Sequence, residues 1–513
     1  MKKSDLIPMP YTLGIDIGTQ STRVALVDFT GRVVASYSEG YPMHTPRHGW
    51  AEQDPDDWWA AICRGISAVK EQSSARPQDI LALAVDSQMH ATIPLAADGS
   101  LLSHAVQLWC DKRGSGLVEQ FFARPEAQAA AALAGSPPVG AWIGFKILWL
   151  KTHQPELYYK TWKFLTGSGF VNYRLTGELS IDWTEASGTF LMDAHTNQWS
   201  HELASLLELD LEKLPPIYHS ADVVARVSIE AARTLGLAAG TPVAAGGGDM
   251  LIMLLAGGLA QPGLALDISG TASNLVFYVP QPVLDPPLMN LHHPLPGWCP
   301  FGITESGGSS LRWLRDTLMQ AGGMDQGLPA DEAYARLTTL AAEAPPGAEG
   351  LLYFPYLMGE RVLGTPNARG AFIGLTPRTG VGALARAVME GVCFELRRTL
   401  ELVEAAGNTI QAVIHTGGGA RSALWSQIKA DIYLKPVHTL AAEEGGVLGS
   451  ALLAMVAAGV YPDVPAAVSR CVQMGQTFQP NPANAARYDY LFSLFKDLHD
   501  RLQAPFDRLA EMP

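Results

Sequence analysis

The sequence predicts a protein of two α/β domains with related topology. The chain has 513 residues, about twice what a single hydrophobic core usually holds, so two domains are expected. A strand–turn–strand segment with Gly18-Thr19 stands near the N-terminus, and a similar one with Gly270-Thr271 stands in the second half. Glycine permits such tight turns, whose N–H groups and hydroxyls form an anion-binding concavity. This recurrence indicates two lobes that grip one polyphosphate.

Composition and charge exclude several functional classes. Apolar residues make up 48% of the chain and charged residues 17%, as in globular proteins. The formal net charge is −14, whereas non-specific nucleic-acid binding needs a basic surface. The 5 cysteines are scattered without metal-ligand spacing, which favours a reducing compartment. The apolar run at 251–259 is too short to cross a bilayer, and the start lacks a signal-peptide pattern, so we expect a cytoplasmic protein with neither nucleic-acid nor membrane partners.

The first half alternates strands with helices. Asp54 precedes Pro55 and is predicted to cap a helix that runs from Trp58 to about residue 70. A strand over 243–245 ends in three glycines and Asp249, and an apolar helix follows. The other predicted strands of this half cover residues 13–27 with 32–38 as a β-meander, 80–85, which ends in Asp86, and 105–109, which ends at Cys110-Asp111.

The predicted domain boundary is Gln261-Pro262-Gly263, giving an N-terminal domain of residues 1–260 and a C-terminal domain of residues 261–513. In the second half a strand at 412–415 runs into three glycines and a helix at about 424–433. This strand–glycine–helix unit is similar to the one that ends at Asp249. The repetition is therefore one of halves, which favours lobes of the same α/β class.

Ordered segments over most of the chain resemble the FGGY family of carbohydrate kinases. They include LGIDIGTQSTR, SQMH, the KILW run that begins at Lys146, LTGELSIDWTEASGT, AAGGGD, SGTAS and TGGGARSALWSQIKADI. The resemblance implies two ribonuclease-H-like domains of the actin-like ATPase type with an interdomain cleft. It also implies transfer of the γ-phosphoryl group of ATP to a sugar or polyol hydroxyl, with Mg²⁺ as cofactor.

The resemblance assigns chemistry to two carboxylates. Asp249 becomes the general base that removes a proton from the attacking hydroxyl. Asp16 becomes the residue associated with Mg²⁺, since hard oxygen ligands suit that ion. The alternatives are structural roles: Asp249 could cap its own helix, and nearby N–H groups at a strand end could satisfy Asp16.

The resemblance also implies a nucleotide site built from both turns and from glycine-rich segments of the second half. For either turn alone a plain hairpin is the alternative, and for the glycines it is close helix packing. The predicted ATP-binding residues are Gly18, Thr19, Gln20, Ser21, Arg23, Gly270, Thr271, Gly308, Arg312, Gly418, Gly419, Ala420 and Ala423.

A sugar site needs donors and acceptors that converge in a pocket, with apolar contact to the carbon faces. A core histidine satisfied by a neighbour is the alternative for the histidine of this set. The likeness within the family is greatest to members that act on D-xylulose, so a ketopentose is the predicted substrate. The predicted sugar-binding residues are Gln88, Met89, His90, Trp109 and Asp111.

Departures from the family pattern keep further functions open. Met250 follows Asp249 where the family carries an amide, and Cys110 stands between Trp109 and Asp111 in place of asparagine. Lost polar groups change which hydroxyls a site recognises, so another ketose, a polyol or a sugar acid remains an alternative substrate. An actin-like nucleotide-dependent clamp without sugar chemistry and a catalytically silent sugar sensor are open as well. The expected partner is a small-molecule sugar, and a homodimer is open.

Overall fold

The structure, a computed structural model, describes residues 10–285, 288–322, 327–360, 364–442 and 445–511. The elements of the first half are, in chain order, β1 (Tyr11–Ile17), β2 (Ser21–Asp28), β3 (Val33–Gly40), β4 (Glu52–Gln53), α1 (Pro55–Ser73), β5 (Ile80–Ser87), β6 (Ile93–Leu95), β7 (Val106–Gln107), α2 (Ser115–Phe122), α3 (Ala127–Ala134), α4 (Ile143–His153), α5 (Pro155–Lys160), β8 (Lys163–Leu165), α6 (Gly167–Thr176), β9 (Ile181–Asp182), α7 (Trp183–Ser187), β10 (Met192–Asp193), β11 (Gln198–Trp199), α8 (His201–Leu206), β12 (Ile217–Tyr218), β13 (Val223–Arg226), α9 (Ile229–Leu235), β14 (Pro242–Ala244), β15 (Gly247–Gly248) and α10 (Asp249–Ala256).

The elements of the second half are β16 (Leu264–Ser269), β17 (Ser273–Phe277), β18 (Met289–His292), β19 (Trp298–Thr304), α11 (Gly308–Gln320), α12 (Ala330–Glu343), β20 (Leu352–Phe354), β21 (Ala371–Ile373), α13 (Val381–Ala405), β22 (Ala412–Thr416), α14 (Ala423–Tyr433), β23 (Val437–Leu440), α15 (Gly446–Ala457), α16 (Val464–Cys471), β24 (Met474–Phe478) and α17 (Pro482–Ala510). Within the described ranges, none of these helices combines the length and the apolar character needed to cross a bilayer.

Contacts divide the chain into two units that interleave along the sequence. The first unit takes the described residues within Met1–Ala260, Pro280–Cys299 and Glu444–Gln473, and the second takes those within Gln261–Val279, Pro300–Glu443 and Met474–Pro513. The sequence predicted one division at Gln261, so two later segments differ from that expectation. The difference arises because α15 and α16 cover the sheet of the first unit, although they come late in the chain.

A mixed sheet forms the centre of the first unit, with the strand order β13-β14-β5-β1-β2-β3. The strands β1, β2 and β3 form the predicted antiparallel meander, whereas β5 runs parallel to β1 and β14 runs parallel to β5. The register places Asp16 of β1 beside Asp86 of β5. The short strand β15 pairs Gly247 with Asp86. The strands β1, β5 and β15, which carry or precede a carboxylate, therefore end at the same side of the sheet.

Helices cover both faces of this sheet, as the side chains of β2 show. Val24 and Leu26 pack in an apolar cluster with α1, α6 and α9. Ala25 and Val27 pack in a second cluster with α10, α15 and α16. Successive side chains of a strand point to opposite faces, so a strand covered on both sides is apolar at every position.

Helix α15 packs directly on the backbone of β1. A Cβ atom built on Gly14 would lie 2.2 Å from the carbonyl oxygen of Val447, too close for any side chain. The hydroxyl of Thr12 also donates to the carbonyl oxygen of Ala451 at 3.4 Å. Glycine at position 14 therefore permits a helix-to-strand approach that any other residue would prevent.

The second unit repeats the arrangement of the first. Its strands follow the order β19-β17-β16-β22-β23-β24. The pairs β19/β17 and β17/β16 are antiparallel, and the pairs β16/β22 and β22/β23 are parallel. Helix α13 packs against β17, β20, α12 and α14. An antiparallel meander followed by parallel strands occurs in both units, which confirms the predicted α/β class.

A buried ion pair ties α14 to β16 in the second unit. The ammonium of Lys429 and the hydroxyl of Tyr433 donate to Oδ2 of Asp267, and Ser269 donates to its Oδ1 at 3.0 Å. Burial by itself would raise the pKa of Asp267, but the charge of Lys429 and the hydrogen bonds hold that pKa below its ordinary value. The pair therefore stabilises the fold fully above about pH 4, and this stabilisation is lost as the pH falls through the lowered pKa.

Lys429→Met should lower the free energy of unfolding of the second unit by about 3–5 kcal/mol at neutral pH, because Asp267 then stays buried without its counter-charge. Urea denaturation followed by tryptophan fluorescence measures this loss. Lys435→Met is the matched control, since Lys435 pairs with Glu404 at 2.7 Å where both side chains are partly exposed. The control should cost less than about 1 kcal/mol, and equal losses in the two variants would contradict the prediction.

Candidate functional site

Three carboxylates lie near the sheet edge of the first unit and influence one another. Asp16 lies on β1, Asp86 lies on β5 and Asp249 directly follows β15. Burial, and after it the charge of Asp16, raises the pKa of Asp249 to about 7. The same two causes hold the pKa of Asp86 well above its usual range, and burial raises the pKa of Asp16. Strongly perturbed carboxylates in one place are typical of functional sites.

The glycine loop before α10 holds Asp249 in place. Gly246 has a φ of +76°, and a Cβ there would lie 1.8 Å from the carbonyl oxygen of Val85, so only glycine fits. Gly248 occupies the N-cap position of α10, and Oδ1 of Asp249 accepts the N–H of Met250 at 2.7 Å. Asp249 is thus the first residue of the helix and does not occupy its cap position, which weakens the alternative of a purely structural cap.

Asp16 and Asp86 border a position that could hold a divalent cation. Ser450 donates to Oδ2 of Asp86 at 2.6 Å, while Oδ1 of Asp86 has no hydrogen-bond partner among the described residues. A Cβ built on Gly446 would lie 2.8 Å from Oδ2 of Asp16 and 3.3 Å from Oδ1 of Asp86. A glycine therefore keeps this position open beside anionic oxygens, the donors that hard cations prefer. Asp86 was not among the predicted metal residues, and its place at a strand end was the available signal.

Side chains fasten the first Gly-Thr turn. The indole Nε1 of Trp109 donates to Oγ1 of Thr19 at 3.0 Å, and Nε2 of Gln53 donates to the carbonyl oxygen of Thr19 at 2.7 Å. The hydroxyl of Tyr41 donates to the carbonyl oxygen of Gly18 at 2.5 Å. The predicted phosphate ligands of this half all lie in or beside this fastened turn, namely Gly18, Thr19, Gln20, Ser21 and Arg23.

The predicted sugar-binding residues Gln88, Met89 and His90 follow β5 and are buried. Met89 lies against Gly248, where a Cβ would approach its Sδ to 3.0 Å. Nε2 of Gln88 donates to Oε1 of Gln53 at 2.6 Å, and the ring of His90 packs edge-on against Trp142. Within the described part of the chain, Oε1 of Gln88 and Nδ1 of His90 lack hydrogen-bond partners. The structure thus brings this tripeptide to the loop of Asp249 with polar atoms available.

The other two predicted sugar-binding residues have protein partners. Trp109 is 45% exposed and donates to Thr19, as described above. Asp111 is buried, accepts the N–H of Ala51 at 2.7 Å and forms an ion pair with Arg113. Both oxygens of Asp111 are engaged, since Oδ1 also accepts from Arg113. These contacts give Asp111 a structural role, and its contact with sugar stays a prediction.

Sequence reasoning missed three buried side chains of the first unit. Nζ of Lys146 donates to the carbonyl oxygens of His90 and Leu108, each at 2.7 Å. Glu185 accepts the N–H of His90 at 3.0 Å, and Oγ1 of Thr184 accepts the N–H of Gly248 at 2.8 Å. Burial lowers the pKa of Lys146 to about 7 and holds the pKa of Glu185 well above its usual range. The motifs that contain these residues carried the resemblance, but nothing local showed that they are buried.

A cavity of about 640 Å³ lies in the second unit. This volume falls in the range of sites for small molecules, about 300–1,000 Å³. Ala420 is the one predicted ATP-binding residue of the second half that does not belong to the described lining of the cavity. The predicted residues that line it are Gly270, Thr271, Gly308, Arg312, Gly418, Gly419 and Ala423.

Backbone contacts build this cavity. The N–H of Gly308, at the start of α11, donates to the carbonyl oxygen of Gly270 at 2.9 Å. A Cβ built on Gly419 would lie 2.5 Å from Cβ of Ser269, so the glycine lets the two segments meet. The aromatic residues Tyr334 and Trp425, the basic residues Arg312 and Arg421 and the acidic Asp331 also line the cavity. Such walls suit a planar base together with an anionic group.

Comparison with known proteins gives consistent results. The N-terminal domain of the FGGY family of carbohydrate kinases matches residues 11–256, and the C-terminal domain of that family matches residues 266–458. The xylulose kinase of Bacillus subtilis is 30% identical over 503 residues, which cover 96% of this chain and 97% of that protein.

Solved structures agree with these matches. The crystal structure of xylulose kinase from Rhodospirillum rubrum matches with a TM-score of 0.89 at 29% identity and covers 97% of this chain and 100% of that chain. The crystal structure of gluconate kinase from Lactobacillus acidophilus matches with a TM-score of 0.87 at 29% identity. The match covers 98% of this chain and 99% of that chain. The chain therefore belongs to the FGGY family of carbohydrate kinases and is an enzyme that phosphorylates a sugar with ATP.

Proposed function

We propose that this kinase phosphorylates a ketopentose, D-xylulose first, with Asp249 as the general base. The observation that carries the proposal is the contact between Met89 and Gly248, which brings the sugar-binding tripeptide to the loop of the base. The names of the relatives from Bacillus subtilis and Rhodospirillum rubrum support the same substrate.

The proposed chemistry uses a carboxylate with a raised pKa and polar atoms of the tripeptide that form no hydrogen bond among the described residues. A carboxylate with a pKa near 7 is a stronger base than an ordinary aspartate, so Asp249 can accept the proton of the attacking hydroxyl. Oε1 of Gln88 and Nδ1 of His90 have no hydrogen-bond partner among the described residues, although Nδ1 lies 3.8 Å from Oε2 of Glu185, and both can bind sugar hydroxyls. Phosphoryl transfer depends mainly on positioning and charge stabilisation, and this arrangement supplies the positioning.

We further propose that Asp16, with Asp86, holds Mg²⁺ and that ATP binds in the cavity of the second unit. The open position beside Gly446 and the unpartnered Oδ1 of Asp86 support the metal site, as far as the described residues go. A bound magnesium ion would supply charge neutralisation for the transferring phosphoryl group. The turn at Gly18, Thr19, Gln20, Ser21 and Arg23 stays a predicted phosphate contact, as does Ala420 for the nucleotide.

A sugar acid is the second candidate substrate, since the gluconate kinase match is nearly as good as the xylulose kinase match. Repulsion argues against it, because a substrate carboxylate would lie near Asp249, which with a pKa of about 7 is partly ionised at neutral pH. Family membership favours either sugar kinase over the nucleotide-dependent clamp without sugar chemistry.

ADP release in the presence of ATP and magnesium tests the proposal. The panel is D-xylulose, D-ribulose, glycerol and D-gluconate, and we expect the largest kcat/KM with D-xylulose. A preference for gluconate or glycerol would overturn the substrate assignment and leave the kinase assignment intact.

Asp249→Asn should lower kcat by about 10²–10⁴-fold with little change in ATP affinity, because the amide cannot accept the proton. Near-normal kcat in this variant would remove Asp249 from its role.

His90→Ala should raise the KM for D-xylulose by about tenfold, because a buried hydrogen bond to the sugar is lost. Steady-state kinetics at saturating ATP measure the change. His153→Ala is the control, since the His153 ring stacks on Trp149 in α4. An unchanged KM in His90→Ala would mean that His90 is structural only.

Ala423→Phe should raise the KM for ATP by about tenfold while the KM for sugar stays constant, because the ring occupies space in the cavity that a nucleotide needs. The control is Ala405→Phe, at an exposed position at the end of α13 that does not belong to the described lining. If both variants bind ATP as the unmodified enzyme does, the cavity is not the nucleotide site.

A further inference from the structure

A short buried segment, residues 182–185, contacts both loops of the proposed active site. Asp182 caps α7 and is almost completely buried. Its Oδ2 accepts from the N–H of Thr184 at 2.8 Å, from the hydroxyl of Thr184 at 2.7 Å and from the hydroxyl of Ser220 at 2.9 Å. Asp182 therefore fixes the segment both to itself, through Thr184, and to Ser220.

Thr184 connects this segment to the loop of Asp249. Its hydroxyl oxygen accepts the N–H of Gly248 at 2.8 Å, so its own hydrogen goes to Asp182 and its lone pair to the loop. A Cβ built on Gly247 would lie 2.7 Å from Oγ1 of Thr184 and 2.9 Å from Oδ2 of Asp182. The glycines let the loop approach closely, and Thr184 fixes the peptide group between Gly247 and Gly248, one residue before Asp249.

Glu185 connects the same segment to His90, whose backbone is strained. His90 has a φ of +65°, a conformation that is unfavourable for a non-glycine residue and persists only where the surroundings impose it. Oε2 of Glu185 accepts the N–H of His90 at 3.0 Å, and Lys146 donates to its carbonyl oxygen at 2.7 Å. Gly188, three residues after Glu185, leaves room for the ring, since a Cβ there would lie 2.3 Å from Cε1 of His90.

We propose that Thr184 and Glu185 are separate positioning residues on one rigid segment. Thr184 orients Asp249 for proton transfer and so acts on kcat, whereas Glu185 holds His90 in its strained conformation and so acts on the KM for sugar. The inference rests on the proposed roles of Asp249 and His90. Burial holds the pKa of Glu185 well above its usual range, which is consistent with a hydrogen-bonding role that a neutral side chain could also perform.

Thr184→Val tests the first role because valine has nearly the same shape but lacks the hydroxyl, which removes the acceptor for Gly248 together with the donor to Asp182. We expect kcat with D-xylulose to fall at least about tenfold with the KM for sugar and the Kd for ATP unchanged, since small misplacements of reacting groups are costly. Thr184→Ser should keep nearly normal kcat. Thr161→Val is the control, as Thr161 is equally buried and its hydroxyl donates only within α5. A normal kcat in Thr184→Val would overturn this role. A fall in kcat/KM that comes only from a higher KM would overturn it as well.

Glu185→Leu tests the second role, because leucine fills most of the volume of the glutamate side chain but cannot accept the N–H of His90. We expect the KM for sugar to rise about tenfold with kcat within about twofold, because His90 loses the contact that holds its backbone. Glu185→Gln keeps an acceptor for the N–H of His90 and should stay within about threefold of the normal KM. An unchanged KM in Glu185→Leu, or an equal rise in Glu185→Gln, would overturn this role.

Two measurements separate a failure of this inference from other failures. If Thr184→Val does not fold, as judged by its melting temperature, Thr184→Cys replaces it, since a thiol is a poor acceptor. A folded Thr184→Cys with normal kcat overturns the inference. If Asp249→Asn is inactive while Thr184→Val is normal, only the positioning role fails. If Asp249→Asn is active, the proposed function itself fails.

Discussion

The burial of Asp16, Asp86 and Asp249 close to one another is the main energetic constraint on the first unit. Removing an ionised carboxylate from water costs several kcal/mol even after relaxation, and neighbouring negative charges add to the cost. The fold offsets part of it with local donors, such as the hydroxyl of Ser450 on Asp86 and the N–H of Met250 on Asp249. The rest appears as raised pKa values and as an unpartnered oxygen on Asp86, among the residues that the structure describes. The proposed cation and sugar would offset this remaining cost.

The same constraint bears on which sugar is recognised. A neutral ketose offers hydroxyl hydrogens, which suit acceptor atoms such as Oε1 of Gln88 and the carboxylate of Asp249. A sugar acid would bring another carboxylate, and the buried ammonium of Lys146 already donates to the carbonyl oxygens of His90 and Leu108. Fold similarity alone does not distinguish the two substrate classes, because solved structures of both kinds match this chain almost equally well.

Local sequence signals predicted the parts of the fold that depend on local chemistry. Local residue types determine the conformation at the glycines of the turns, at the Asp54 cap of α1 and at the glycine-rich strand ends. The structure contains each of these features. Features that depend on contacts between residues far apart in the chain could not be predicted from the sequence. Thr184 meets Gly248 across 64 residues and Glu185 meets His90 across 95, so neither spacing nor composition reveals them. Likewise, no local pattern shows that Asp111 accepts the N–H of Ala51, which lies 60 residues away.

The close contact between Gly14 and Val447 has a consequence for biosynthesis. One face of the N-terminal sheet stays without much of its helical cover until residue 457 of the 513-residue chain has left the ribosome. The nascent polypeptide therefore carries an apolar surface through most of its translation, a state in which chaperone binding competes with aggregation. A premature stop before Gly446 would remove far more than a terminal segment, since it would leave the earliest strands to be synthesised without the helix that completes their core.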